Sequence, residues 1–294
     1  MADESIERKT FFKKIGGNNS NEGAEMTFVE HLEVLRWHLV RSAIVLVIVA
    51  VVVFVFIDWV FDNVVFAPAN ENFITYKALC RFGHWLHLGD SLCMPPVKIE
   101  LLGNTVSGPF MSALNISFIG AIIIAFPYLL WELWRFVKPA LTKKEIKYAQ
   151  NSFWWVSVCF FTGAAFGYFL LAPFTFNFLA NFQLGKLGVY KYLPTLDDYI
   201  DTLTSLILGC GLAFEMPVIV YVLSKLGIIT PKFLKTYRKF AYVIILFVAA
   251  VITPSPDWTS QTIVATPLII LYEISLMLSK KVAKERAKEE AQWE

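Results

Sequence analysis

The sequence predicts an all-α polytopic membrane protein with six transmembrane helices, both termini on the cytoplasmic side and the last two spans short. Three observations lead there. Of 294 residues, 56% are hydrophobic and 17% charged, against roughly a quarter charged in an ordinary soluble domain. The apolar residues come in long runs separated by polar blocks. Lys and Arg concentrate in alternate blocks, as six crossings require. A net charge of +2, with no basic domain, gives no footing for nucleic acid.

Residues 1–27 are polar, with charges at Glu4, Glu7, Arg8, Lys9, Lys13 and Lys14. They lack the apolar core of a cleavable signal peptide and are expected to be a disordered cytoplasmic tail. The first apolar run, Leu39 to Ile57, holds 19 residues. As a helix it covers roughly 28 Å, close to the ~30 Å hydrocarbon thickness. Further runs extend from Pro109 to Trp131, Phe153 to Leu171, Leu203 to Leu223, Phe240 to Thr253 and Thr262 to Leu278. They define a membrane domain over 28–280, followed by a charged cytoplasmic tail at 281–294.

The fifth run has 14 residues, about 21 Å of helix, and Pro254-Ser255-Pro256 stops it. Local bilayer thinning is expected around this corner. The alternative is a re-entrant hairpin that never crosses. Orientation follows from the cations. The N-terminal block through Arg41 holds six, and segments 132–150, 224–239 and 279–294 hold five each. The opposite side keeps five: Lys77, Arg81, Lys98, Lys186 and Lys191. By the positive-inside rule the rich side is cytoplasmic.

The outward loop, residues 58–107, contains Cys80 and Cys93. In an oxidising compartment they would form a disulfide closing a short loop; otherwise they are two free thiols. Cys159 and Cys210 fall inside expected helices, where a thiol is usually a small buried hydrophobe.

Motifs of enzyme chemistry are missing. None of the four histidines forms His-Glu-x-x-His, and there is neither Gly-x-Ser-x-Gly nor a Gly-rich phosphate loop before a Lys. His84 and His87 lack a third neighbouring ligand, so no metal is expected. No cofactor is expected either.

Glu215 stands out, because Leu-Ala-Phe-Glu-Met-Pro places it near mid-span. A charge at that depth costs on the order of 2.5–3.5 kcal/mol on insertion scales, so it should face a cavity or polar partners. The alternative is a protonated, hydrogen-bonded structural residue. Pro217 frees a backbone carbonyl and should kink the helix. Glu273, near the end of the sixth run, reads as structural. Ahead of the first run, Phe28 to Leu39 is amphipathic, with Glu30 and Glu33 three apart on one face. Such a pattern is commonly a solvated interfacial helix.

Four stretches resemble the TatC family of twin-arginine export proteins: His31-Leu32-Glu33-Val34-Leu35-Arg36, Trp134 to Leu141 leading to Glu145, Phe214-Glu215-Met216-Pro217, and Thr253-Pro254 followed by Asp257 and Ser260-Gln261. They run in the same order and cover about residues 27 to 280. The resemblance implies a receptor for twin-arginine signal peptides of folded substrates that recruits small single-span proteins of the TatA/TatB type. It also implies a homo-oligomer in a bacterial inner membrane, driven by the proton-motive force. By the same resemblance Glu145 would contact the signal's Arg pair, with Glu33, Glu30, Arg36 and Pro139 shaping the cytoplasmic surface. Glu215 would lie in the concave membrane face. Thr253, Asp257 and Gln261 would touch partner subunits. One departure is that Val34 stands where the family pattern has Glu. Glu33 is turned from that position by about 100°, and Glu30 lies one turn before it on the same face. The competing reading is a proton-coupled small-solute transporter built on Glu215, but no internal repeat supports it.

Overall fold

A computed structural model describes residues 28–70, 73–85, 101–103, 105–140, 143–181, 194–253 and 258–291. Within them the chain is helical and free of strands, apart from one isolated bridge between Leu102 and Thr195. The helices are α1 (Phe28–Val55), α2 (Ile74–Trp85), α3 (Gly108–Val137), α4 (Lys143–Phe166), α5 (Ala172–Asn181), α6 (Leu196–Ala213), α7 (Met216–Lys225), α8 (Pro231–Thr236), α9 (Arg238–Ile252) and α10 (Trp258–Ala291).

The chain divides into two compact units, residues 1–37 and 38–294. The described part of the first is the opening of α1, where Glu33, Arg36 and Trp37 are exposed. There the Arg36 guanidinium lies 5.7 Å from the centre of the Trp37 ring, a cation–π distance.

In the second unit α6 runs through the core. Tyr199, Ile200, Leu203 and Leu206 are buried, as are Val264 and Leu268 of α10 and Ala249 of α9. Many large apolar residues point outward instead: Phe240, Val243, Ile244, Phe247 and Val251 of α9 are all exposed. A soluble protein rarely leaves so continuous an apolar stripe in water. Hydrocarbon accepts it, and helices satisfy their backbone internally as the bilayer demands.

Among the described residues, five segments are long and apolar enough to cross: Glu33–Val55, Gly108–Val137, Trp154–Ala180, Leu196–Lys225 and Gln261–Lys288. The fifth expected span corresponds to α9, which has 15 residues and ends at Thr253 in an extended conformation. The sixth is corrected. It was expected to be short, but α10 is a single helix of 34 residues. The charged stretch from 281 continues this helix as far as Ala291, because its inner face is packed. Val282 and Ser279 are buried. Ser224 Oγ donates to Ser279 Oγ at 2.8 Å, and Lys225 Nζ lies 3.0 Å from Glu285 Oε2. Gly227, at φ +80°, turns the chain past the end of α7 with the Arg286 guanidinium against it.

Prolines shape the region between α1 and α2 and the join of α4 to α5. Pro68 and Pro173 have no N–H, so the carbonyls four residues earlier, at Val64 and Phe169, lose their helical donors. Hydroxyls from elsewhere replace them: Tyr168 donates to Val64 O at 2.8 Å, and Thr75 of α2 donates to Phe169 O. Tyr199 adds a bond of 2.7 Å to Val65 O, and Tyr76 one of 3.1 Å to Pro68 O. The loop between α1 and α3 is thereby stitched to α2, to α6 and to the wide turn at Gly167–Leu171 that joins α4 to α5. Burial raises the pKa of the Tyr76 hydroxyl, keeping it a donor. Cys80 is disulfide-bonded; Cys93 lies outside the described residues.

Candidate functional site

Glu215 sits at the break that the sequence expects in the fourth span. Pro217 cannot bond the Ala213 carbonyl, so α6 stops at Ala213 and α7 begins at Met216. Phe214 and Glu215 bridge them with amide bonds to Cys210 O and Leu212 O at 3.0 and 3.1 Å. The Glu215 side chain is 5% exposed, and among the described residues neither carboxylate oxygen meets a partner in hydrogen-bond geometry. Ser157 Oγ of α4 is also buried without one. A carboxylate in that state is costly as an ion.

α3 closes in a tight turn at Lys138–Ala140, with Pro139 exposed. Glu145 lies in the first turn of α4. In the first unit, Glu33 is exposed and Glu30 belongs to the first turn of α1.

At the corner between α9 and α10, Thr253 is buried and its hydroxyl donates to Ala249 O at 2.9 Å. Gln261 Nε2 donates to Leu246 O at 3.0 Å, tying α10 back to α9. Asp257 lies outside the described residues. At the other end of the same helix pair, Glu273 accepts from Tyr242 OH at 2.6 Å and pairs with Arg238 at 2.7 Å. That supports the structural reading of Glu273.

A cluster that sequence reasoning missed sits at the loop end of α3. Glu132 is 3% exposed; it bonds His38 Nδ1 through one oxygen and accepts from Tyr128 OH at 2.8 Å through the other. The Arg135 guanidinium is 4.0 Å away on the same helix. Tyr128 and Glu132 are four apart, a helical pair spacing visible in the sequence. His38 is 94 positions away and gave no signal. No group of metal-ligating side chains occurs among the described residues.

The described residues make a polytopic helical membrane protein with a buried carboxylate in a broken span and polar groups at its loops and corners. The family model for the Sec-independent protein translocase protein (TatC) matches residues 30–267, and the chain belongs to that family. It is 36% identical over 267 residues to the "Sec-independent protein translocase protein TatC" of Blattabacterium sp. subsp. Periplaneta americana, covering 90% of this chain and 99% of that one. With the protein of the same name from Carboxydothermus hydrogenoformans it shares 32% over 259 residues, 88% and 95% of the two chains. Two crystal structures described as Twin Arginine Translocase Receptor TatC also match it, each at 32% identity. One covers 86% of this chain and all of the other, with a TM-score of 0.66; the second, in DDM, covers 85% and 99%, with a TM-score of 0.67. The family consists of multi-pass translocase subunits of the Tat system, not enzymes.

Proposed function

We propose that this chain is the signal-peptide receptor of a twin-arginine export system in a bacterial inner membrane, crossing six times with both termini cytoplasmic. The observation that carries the reading is the likeness to structures described as that receptor, over 86% of the chain at 32% identity. The cation asymmetry supplies the orientation. Cys80 and Cys93 then close a loop on the oxidising side.

The chemistry suits an arginine pair. A carboxylate accepts two parallel N–H bonds from a guanidinium, which Lys cannot offer. Glu145 is the principal acceptor, and Pro139 shapes its loop. Glu30, Glu33 and Arg36 line the N-terminal helix as further contacts. The signal's apolar segment runs toward Glu215, whose unpartnered oxygens would accept hydrogen bonds from a polar group brought beside them. Thr253, Asp257 and Gln261 mark the corner that meets small single-span subunits of the TatA/TatB type, and further copies of the chain join the assembly. The proton-motive force supplies the energy, so the step performed here is binding. A proton-coupled transporter would need a continuous polar route through Glu215, and Phe214 beside it packs on the Phe166 ring, with centroids 5.4 Å apart.

The test is photo-crosslinking from position 145 in membranes, with a signal peptide carrying Arg-Arg or Lys-Lys. The expected result is a crosslink with Arg-Arg that weakens with Lys-Lys. No crosslink to either peptide, with positions 30 and 33 equally silent, overturns the receptor reading.

A further inference from the structure

The Glu132 cluster has no part in the binding scheme above, yet it is an expensive thing to bury. Taking a carboxylate out of water is repaid only when its oxygens are satisfied, and an apolar side chain of similar size often serves stability equally well. What a fully bonded polar network adds is a single arrangement of the elements that carry it. Here both oxygens are occupied from two helices, Tyr128 on α3 and His38 on α1, and the His38 ring packs edge-on to Phe136 with centroids 6.4 Å apart.

Its position gives that arrangement a consequence. Glu132 lies one turn before Arg135 and two turns before Pro139, on the helix that delivers the first loop. Within residues 38–294, α1 also meets α3 through apolar contacts, such as Val53 over Gly120 and Phe54 edge-on to Phe110, and burial of apolar surface is non-directional. A directional bond at the loop end removes that freedom.

We infer that Glu132 and His38 are positioning residues: their contact fixes the direction in which α3 ends, and so the presentation to an arginine pair of the turn at Lys138–Ala140 that leads to Glu145. The functional half of this statement rests on the receptor reading; the mechanical half does not.

The experiment compares Glu132→Leu, which keeps the bulk and loses both bonds, with Glu132→Gln. The Gln amide can still accept from Tyr128 and donate to His38. Hydrogen–deuterium exchange of the full chain in nanodiscs reads residues 134–140, and the position-145 crosslink reads the preference for Arg-Arg over Lys-Lys. Glu132→Leu is expected to speed exchange at 134–140 by roughly tenfold, leave α6 and α10 unchanged, and lower the Arg-Arg preference about threefold or more. Glu132→Gln is expected to restore both. Should Glu132→Leu fail to fold, His38→Phe, which keeps the ring against Phe136, is expected to show the same two effects. Unchanged exchange at 134–140, or faster exchange with the Arg-Arg preference intact, overturns the inference. A wild-type protein that never crosslinks, combined with the expected exchange pattern, overturns the receptor reading and leaves the mechanical contact standing.

Discussion

Adding one methyl group to each of two glycines tests how α4 and α6 are held together. Gly163 and Gly167 are four residues apart, so both face α6. A Cβ on Gly163 would stand 2.5 Å from Cys210 O, and one on Gly167 would stand 2.6 Å from Leu206 O and 3.1 Å from Ile207 Cα. Ordinary contact begins at 3.4 Å, so each methyl intrudes by about 0.8–0.9 Å on backbone that has no rotamer to give. The helices must part. Small residues at helix interfaces in membranes serve close approach, because lipid offers no hydrophobic drive to restore the lost packing. Overpacking of this kind costs about 1–3 kcal/mol per site. Once Gly163→Ala has separated the pair, Gly167→Ala one turn away should add less than its single value. The assay is thermal unfolding of the detergent-solubilised chain, followed by the fraction still monodisperse after heating. Each single variant should melt roughly 2–10 °C lower. Gly209→Ala is expected to lose less, since its nearest atoms belong to the Ile252 side chain, and Gly103→Ala, with nothing within 4 Å, should be silent. A Gly163→Ala/Gly167→Ala protein melting with Gly103→Ala would refute the account of this interface.

Thr75→Val leaves the Phe169 carbonyl without its outside donor, and Tyr199→Phe does the same to Val65 O. Each should cost about 1–3 kcal/mol in the same melting assay, with the buried Tyr199 change at the upper end. Glu215→Gln replaces a buried carboxyl, without a hydrogen-bond partner among the described residues, by an amide of the same shape, so stability should change little. Export of a twin-arginine substrate should fall with that change if the carboxylate serves binding, and an unaltered export rate would return Glu215 to a structural role.

The class of protein was legible because the bilayer constrains sequence strongly. Runs of about 20 apolar residues, a one-sided cation distribution and a proline two residues after a mid-span Glu all have few structural solutions. The break at Phe214–Glu215 and the short α9 fall where those signals put them. The stop at the end of α9 was legible in Pro254 and Pro256, although the bond from Gln261 back to Leu246 was not. Glu132 escaped notice because a carboxylate near the end of a span reads as one that reaches the interface. Its burial depends on a histidine far along the chain.

Helix α10 shows the same division. The charged stretch beyond 280 looks like a tail in composition, and its helical docking rests on Ser224, Lys225 and Gly227 at the end of α7. The Gly163–Gly167 spacing is printed in the sequence, but which backbone it approaches is not. Local pattern determined what had to be helical and what had to be in lipid, since each helix must satisfy its own backbone there. Tertiary structure alone decided which polar side chains found partners and which, like Glu215, were left with none. Hydrogen bonds between helices act over about 3 Å, between residues whose separation along the chain carries no information about their distance.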